Sequence, residues 1–278
     1  MIRALALICV RNEAVHIERC IRHFIESGCD VCLIDNDSAD GTLDLAREFL
    51  GHGLLDIHRL PWTGTFSLTK QLDAKRAIIE ASQHDWVVHA DADEWLVSPI
   101  EGQTLAEALS AADSEGFNVV NFHECVFVPT PGADHYHNDY VETMRDYYFF
   151  QPFYPRLNRA WRRDAVLDNL SKGGHIVSGA NRNLSPNDLI LRHYIVLSQA
   201  QANAKYINRI FSAEDLESGW HGNRRNINAM NLQLKTQPAM RRLAQPLKHS
   251  HFDLSHPVRA HFWDWPAQQC IDPDVTGE

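Results

Sequence analysis

No run of eighteen apolar residues occurs anywhere in the 278-residue chain, so no transmembrane helix is expected. The apolar opening of residues 4–10 runs at once into Arg11, Asn12 and Glu13. It is too short for a secretory leader and reads as a first strand, which gives the cytoplasm as the expected address. Cysteine is sparse, with six residues too scattered for a disulfide framework. Cys29 and Cys32 do form a Cys-x-x-Cys pair, but it ends a predicted helix instead of opening one. With no second pair to complete a zinc site, these are read as packing residues. Positive charge is also short: 26 Lys and Arg face 36 Asp and Glu, a net charge of −10. Such a chain is a poor general binder of nucleic acid backbones. Internal repeats and low-complexity tracts are absent, and 44% apolar with 22% charged residues excludes disorder and coiled-coil classes.

What is present is an alternation of strand and helix over the first hundred residues. The continuous apolar run 3–10 suits a strand buried on both faces. Ile17, Cys20, Ile21, Phe24 and Ile25 then recur at helical spacing, and Gly28 supplies a stop. Strands are expected at 31–34, 54–60 and 86–90, and helices at 42–50 and 68–82. Repeated βα units with short turns imply an α/β fold, a mostly parallel central sheet flanked by helices. Beyond residue 100 the pattern loosens. A strand is expected at 117–122 and a last one at 189–196, with helix from Ser198 onward. Residues 205–262 carry nine Lys and Arg against four Asp and Glu, a local balance of +5. This basic helical C-terminal extension, 205–278, interleaves Arg224, Arg225, Arg241, Arg242 and Lys248 with Met230, Leu232, Leu234, Met240, Leu243 and Leu247. The set suits either packing on the domain or a peripheral contact with an anionic membrane.

In an open parallel sheet, ligands bind beyond the carboxyl ends of the strands, where two acidic clusters fall. They are Asp35-Asn36-Asp37 and Asp91-Ala92-Asp93. Side chains alternate along a strand, so Asp91 and Asp93 are expected on one side, where a hard cation such as Mg²⁺ or Mn²⁺ relieves their repulsion. A substitution such as Asp93→Asn is expected to leave folding intact, because the ligand edge is not the core.

Three segments together carry a resemblance: Val10-Arg11-Asn12-Glu13, then Leu33-Ile34-Asp35-Asn36-Asp37-Ser38-Ala39-Asp40-Gly41-Thr42, then Asp85-Trp86-Val87-Val88-His89-Ala90-Asp91-Ala92-Asp93-Glu94. Their order and spacing resemble family 2 glycosyltransferases, which have the GT-A fold. Gly173-Gly174-His175 and Leu191-Arg192-His193-Tyr194 resemble segments of a bacterial branch acting in surface polysaccharide synthesis. The resemblance implies a nucleoside diphosphate sugar donor, Mn²⁺ or Mg²⁺, a glycan or glycolipid acceptor, and inversion at the anomeric carbon. The resemblance covers roughly residues 1–225, and the charge shift at 205 divides the chain into a glycosyltransferase domain, 1–204, with its nucleotide half at 1–100 and its acceptor half at 101–204, followed by the extension. It implies that Val10, Arg11 and Glu13 line the nucleotide pocket, with Asp35 on the base or ribose and Asn36 beside it. It further implies Asp91 at the ribose or a metal-bound water, and Asp93 on the metal. The chain departs from the family pattern at Asn36 and Asp37, where Asp and Gly are frequent, and no segment matches the family's Asp base.

Other residues have two readings each. Lys75, on the apolar stripe of the third helix, reaches donor phosphate or a carboxylate such as Asp91, or is a snorkelling stem. Glu94 faces the acceptor, joining Asp91 and Asp93 as the catalytic set, or caps a turn. His193 completes the metal site through a neutral nitrogen, or is structural. His175 has the same two readings. The competing functions are a haloacid-dehalogenase-like phosphohydrolase, with Asp35 as nucleophile and Asp37 as general acid, and an inactive sugar-nucleotide-binding module.

Overall fold

The computed structural model describes residues 2–137 and 139–266. Its first hundred residues follow the expected alternation: β1 (Ala4–Val10), α1 (Ile17–Glu26), β2 (Cys29–Asp35), α2 (Thr42–Arg47), β3 (Leu54–Arg59), α3 (Leu68–Ala81) and β4 (Trp86–Asp91). β1 is buried at every position, as its unbroken apolar sequence requires. β5 (Glu94–Val97) follows β4 after a two-residue turn, and α4 (Leu105–Ser114) begins with a capping box between Thr104 and Glu107.

Two sheets result. The first has the order β3-β2-β1-β4-β9-β6, parallel from β3 to β4, with β9 (Ala160–Arg162) antiparallel to β4 and to β6 (Val119–Val120). The second has the order β11-β8-β7-β10-β5, drawn from β7 (Phe122–Phe127), β8 (Asp146–Phe150), β10 (Leu189–His193) and β11 (Arg241–Arg242). A short α5 (Tyr140–Thr143) packs beside it. The strand expected at 117–122 is therefore two strands in different sheets. Asn121 lies at the break, where its Oδ1 accepts from the amides of Arg156 and Leu157 at 3.0 and 2.9 Å. The strand expected at 189–196 ends at His193, and Tyr194 donates its amide to Asp93 O at 2.8 Å.

The basic segment begins in the last turn of α6 (Gln199–Tyr206), includes α7 (Ala213–Glu217) and then continues as loops, 3-10 turns and β11. Its apolar residues divide. Leu232 and Leu234 join Val258, Phe262, Trp263 and Trp265 in one core with Val126 and Tyr148 of the second sheet and Ile195 just beyond β10, and Leu243 packs on Phe127 and Tyr147. Met230 and Leu247 stay exposed. Arg241 pairs with Asp253 and Arg242 with Asp146, so no amphipathic helix presents these charges together. No helix among the described residues is long and apolar enough to cross a membrane. The Cys-x-x-Cys residues sit on β2, buried, with both thiols pushed up to about 12 by burial, as packing cysteines should be.

Candidate active site

β1 lies between β2 and β4, so the chain reverses its direction of winding there and the ends of these three strands open one crevice. Val10 pairs with Asp35 and Cys9 with Asp91, which brings both acidic clusters to its rim.

The loops after β1 and β2 are bolted together. Arg11 donates to the carbonyls of Asn36 and Asp37 at 2.6 and 2.5 Å, and its guanidinium lies 3.9 Å over the Trp62 ring. Asn36 donates its side-chain amide to Leu60 O at 2.8 Å. Glu13 donates its backbone amide to Thr42 Oγ1 at 2.8 Å. Asp35, 2% exposed, accepts the Ser38 amide on both oxygens at 3.1 and 3.3 Å. Asp37, at φ 53°, turns away to Arg59 at 2.6 Å and to the Trp62 amide at 2.9 Å. Asp35 and Asp37 therefore answer to different partners, which disfavours a shared phosphohydrolase centre. Arg11 and Asn36 hold the rim in shape.

Asp91 ends β4 and Asp93 lies in the turn beyond it, so strand alternation does not govern the pair. The Asp91 side chain is 46% exposed to the crevice and lies 3.4 Å from Arg159. Asp93 is 5% exposed and faces the second sheet, its Oδ2 at 2.5 Å from Lys205 Nζ and 3.5 Å from His193 Nε2. Burial alone would raise the Asp93 carboxyl, but Lys205 and His193 outweigh it and hold it well below the usual range. Glu94 lies behind both. It is 1% exposed, accepts the Asp91 amide at 3.1 Å, and pairs closely with Arg159. Burial raises its carboxyl, and Arg159 opposes the rise. Lys75 is buried beneath β4 and donates to Ala90 O at 3.1 Å; burial lowers its ammonium, and Asp91 counters this.

From the other side come Glu124, Arg156, Lys205 and Arg209, which sequence reasoning did not single out as site residues. His193 Nδ1 meets Glu124 Oε1 at 2.6 Å, and Glu124 also pairs closely with Arg156. Burial opposes a charged imidazole at His193, yet the carboxylates on its two nitrogens push it up to about 10. Burial also raises the half-buried Glu13 carboxyl, with Lys205 opposing and Asp93 adding. His175 follows two glycines at φ 59° and 75°, and a Cβ on Gly174 would lie 3.2 Å from Leu72 and 3.3 Å from His89. Burial, with Arg156 and Arg159 nearby, pushes His175 down to about 3, so its ring is neutral. Lys205 and Arg209 did contribute to the basic count of the extension. Their part in this cleft shows only once α6 is folded against Asp93.

A divalent cation fits part of this set. Glu124 holds His193 by Nδ1 and leaves Nε2 toward Asp93, the arrangement that fixes a metal-binding imidazole. Among the described residues no three His, Cys, Asp or Glu side chains converge on one point. A cation here would have Asp93 and His193 and would take its other ligands from water and bound phosphate, as Mg²⁺ and Mn²⁺ commonly do.

The family model described as "Glycosyl transferase family 2" matches residues 6–167, which include β1 to β4 and both acidic clusters. The chain belongs to glycosyl transferase family 2. The family is one of glycosyltransferases, and the parallel sheet flanked by helices is the α/β architecture expected of a GT-A member. No curated protein matches the sequence. Among solved structures, S. aureus TarS has 12% identity and a TM-score of 0.42 over 81% of this chain. The chain spans 44% of the length of that protein. TarS 1-349 in complex with UDP-GlcNAc has 12% identity and a TM-score of 0.43, over 84% of this chain and 76% of that one. Glucosyl-3-phosphoglycerate synthase from Mycobacterium tuberculosis, in complex with Mn²⁺ and UDP-glucose, has 19% identity and a TM-score of 0.32 over 44% of each chain.

Proposed function

We propose that this glycosyltransferase moves a sugar from a nucleoside diphosphate donor to a hydroxyl of a glycan or lipid-linked acceptor, with inversion and with a divalent cation. The observation that carries the reading is the meeting of Asp93 with His193, 3.5 Å apart, at the crevice where β1 and β4 end. Val10, Arg11, Glu13 and Asp35 line the nucleoside side. Asp91, with its exposed carboxylate, faces the ribose or the water around the cation. Asp93 and His193 hold Mn²⁺ or Mg²⁺, and the bound ion supplies positive charge to the departing diphosphate. Glu94 acts as a positioning residue, fixing the Asp91 amide and Arg159. Glu124 fixes the orientation of His193. The acceptor hydroxyl attacks the anomeric carbon opposite the diphosphate, forming the new glycosidic bond as the bond to phosphate oxygen breaks, with the hydroxyl proton released to water and the diphosphate leaving as the anion.

Incubation with a panel of nucleotide sugars and Mn²⁺ tests this. Release of nucleoside diphosphate from one donor, lost on chelation and in Asp93→Asn, is the expected result. Binding without turnover for every donor would leave the inactive-module reading in its place.

A further inference from the structure

Lys205 occupies the carboxylate that the proposed function gives to the cation, and this inference rests on that reading. Lys205 stands in the last turn of α6, with Ile207 at the helix end. Its Nζ donates to Asp93 Oδ2 at 2.5 Å and to Ile195 O at 3.2 Å. The same oxygen faces His193 Nε2 at 3.5 Å. Lys205, His193 and Asp93 are 14%, 12% and 7% exposed at their side chains, so little water screens them. Two like charges at contact distance in such surroundings repel far more strongly than they would in water. A divalent ion on Asp93 and the ammonium of Lys205 therefore do not share Oδ2.

We propose that Lys205 is an exchangeable counter-ion: it neutralises Asp93 in the free enzyme and passes to the donor's diphosphate when a divalent cation takes Asp93. The diphosphate is the fitting recipient because it arrives at this same crevice with the negative charge that Asp93 gives up. Lys205 has a second cation close behind it. Arg209, on the turn after α6, lies over the Phe66 ring at 4.7 Å and interacts electrostatically with Glu13 and Asp93. Lys205 is thus a donor-binding residue whose release makes cation and donor bind together. Without donor, the cation must displace an ammonium that has no better partner. With donor, the displaced ammonium gains one. Reciprocity then requires the cation to tighten nucleotide binding by the same factor.

Mn²⁺ binding to the full chain, followed by the paramagnetic resonance signal of the free ion, tests this without any turnover. Wild type, Lys205→Gln and Asp93→Asn are titrated alone and with UDP or GDP as probes. Wild type is expected to bind Mn²⁺ about tenfold or more tightly with one of the diphosphates than without. Lys205→Gln is expected to bind Mn²⁺ about tenfold more tightly than wild type in the absence of nucleotide, and to lose most of the nucleotide effect. Asp93→Asn should abolish binding in both states. Equal nucleotide-free affinity in wild type and Lys205→Gln would overturn the exchange while leaving the cation at Asp93. Absence of Mn²⁺ binding in every protein and condition would overturn both, making Lys205 a permanent counter-ion. The nucleotide-free comparison does not depend on which donor the enzyme uses.

Discussion

Asp215 closes the N-terminus of α3 although it lies 147 residues beyond Leu68, whose amide it accepts at 2.7 Å. It also accepts the Thr69 amide at 3.1 Å and the Thr69 hydroxyl at 2.8 Å, and His221 meets its other side at 2.9 Å. Ser67, just before α3, caps the helix locally by accepting the Lys70 amide at 3.3 Å, and the extension supplies the acceptor for the Leu68 and Thr69 amides. Removing that buried acceptor strands several donors at once, so Asp215→Ala is expected to lower stability by about 2–3 kcal/mol. The urea midpoint at constant slope measures it, and Asp215→Asn, which keeps one acceptor, should lose less.

Asp93→Asn should reduce turnover about a thousandfold or more, because charge stabilisation of the leaving diphosphate is lost. The structure corrects the expectation that folding is untouched. Asp93 is 5% exposed and balances Lys205 and His193, so its loss leaves Lys205 without its carboxylate and His193 with Glu124 alone. A stability loss of about 3 kcal/mol is expected. Parallel denaturation and initial-rate measurements separate the two effects, and the double variant Asp93→Asn with Lys205→Gln should recover part of the stability but not the rate.

Asp35→Ala should weaken donor binding with little change in the chemical step. A charge-assisted hydrogen bond of roughly 1.5–3 kcal/mol corresponds to a donor KM raised by about one to two orders of magnitude. Calorimetry with the donor nucleotide checks this. Unchanged affinity would remove Asp35 from the nucleoside pocket.

Acid should destabilise the protein through its buried imidazoles, and His23 offers a test away from the cleft. It stacks on Trp95 with ring centroids 4.4 Å apart, and its Nε2 lies 3.1 Å from Leu96 O. Burial pushes it from the ordinary 6.5 down to about 3. The unfolded chain therefore takes up this proton below pH 6.5 while the folded chain refuses it until about pH 3. The stability contribution is complete above pH 6.5 and falls as pH drops, by about 2 kcal/mol from this residue at pH 5. His23→Gln should lessen the loss between pH 7 and pH 5 by about that amount in urea titrations, whatever its own stability at pH 7.

The parallel half of the fold was legible because its signals are local. β1 is a single apolar run, α1 has an apolar stripe ending at Gly28, and each acidic cluster sits where a strand stops. The second sheet was not legible. Residues 117–122 read as one strand until Asn121 is seen bracing the backbone of Arg156 and Leu157, a contact that no short window contains. The cleft divided in the same way. Asp35, Asp91 and Asp93 could be found from strand ends, whereas Glu124, Arg159 and Lys205 gain meaning only from partners far along the chain. Alternation along a strand also misled at Asp93, because the turn after Asp91 rotates it toward His193.

The long separation between Asp93 and its partners sets the order in which the enzyme can mature on the ribosome. Asp93 is synthesised 112 residues before Lys205, and Asp215 comes later still. The first four parallel strands can pair as they emerge, but the carboxylate at their edge stays hydrated, and the Leu68 and Thr69 amides at the start of α3 lack their Asp215 acceptor, until the extension arrives. A nascent chain halted before α6 would hold a formed sheet and an unformed cleft. Competence for catalysis is thereby tied to completion of the extension.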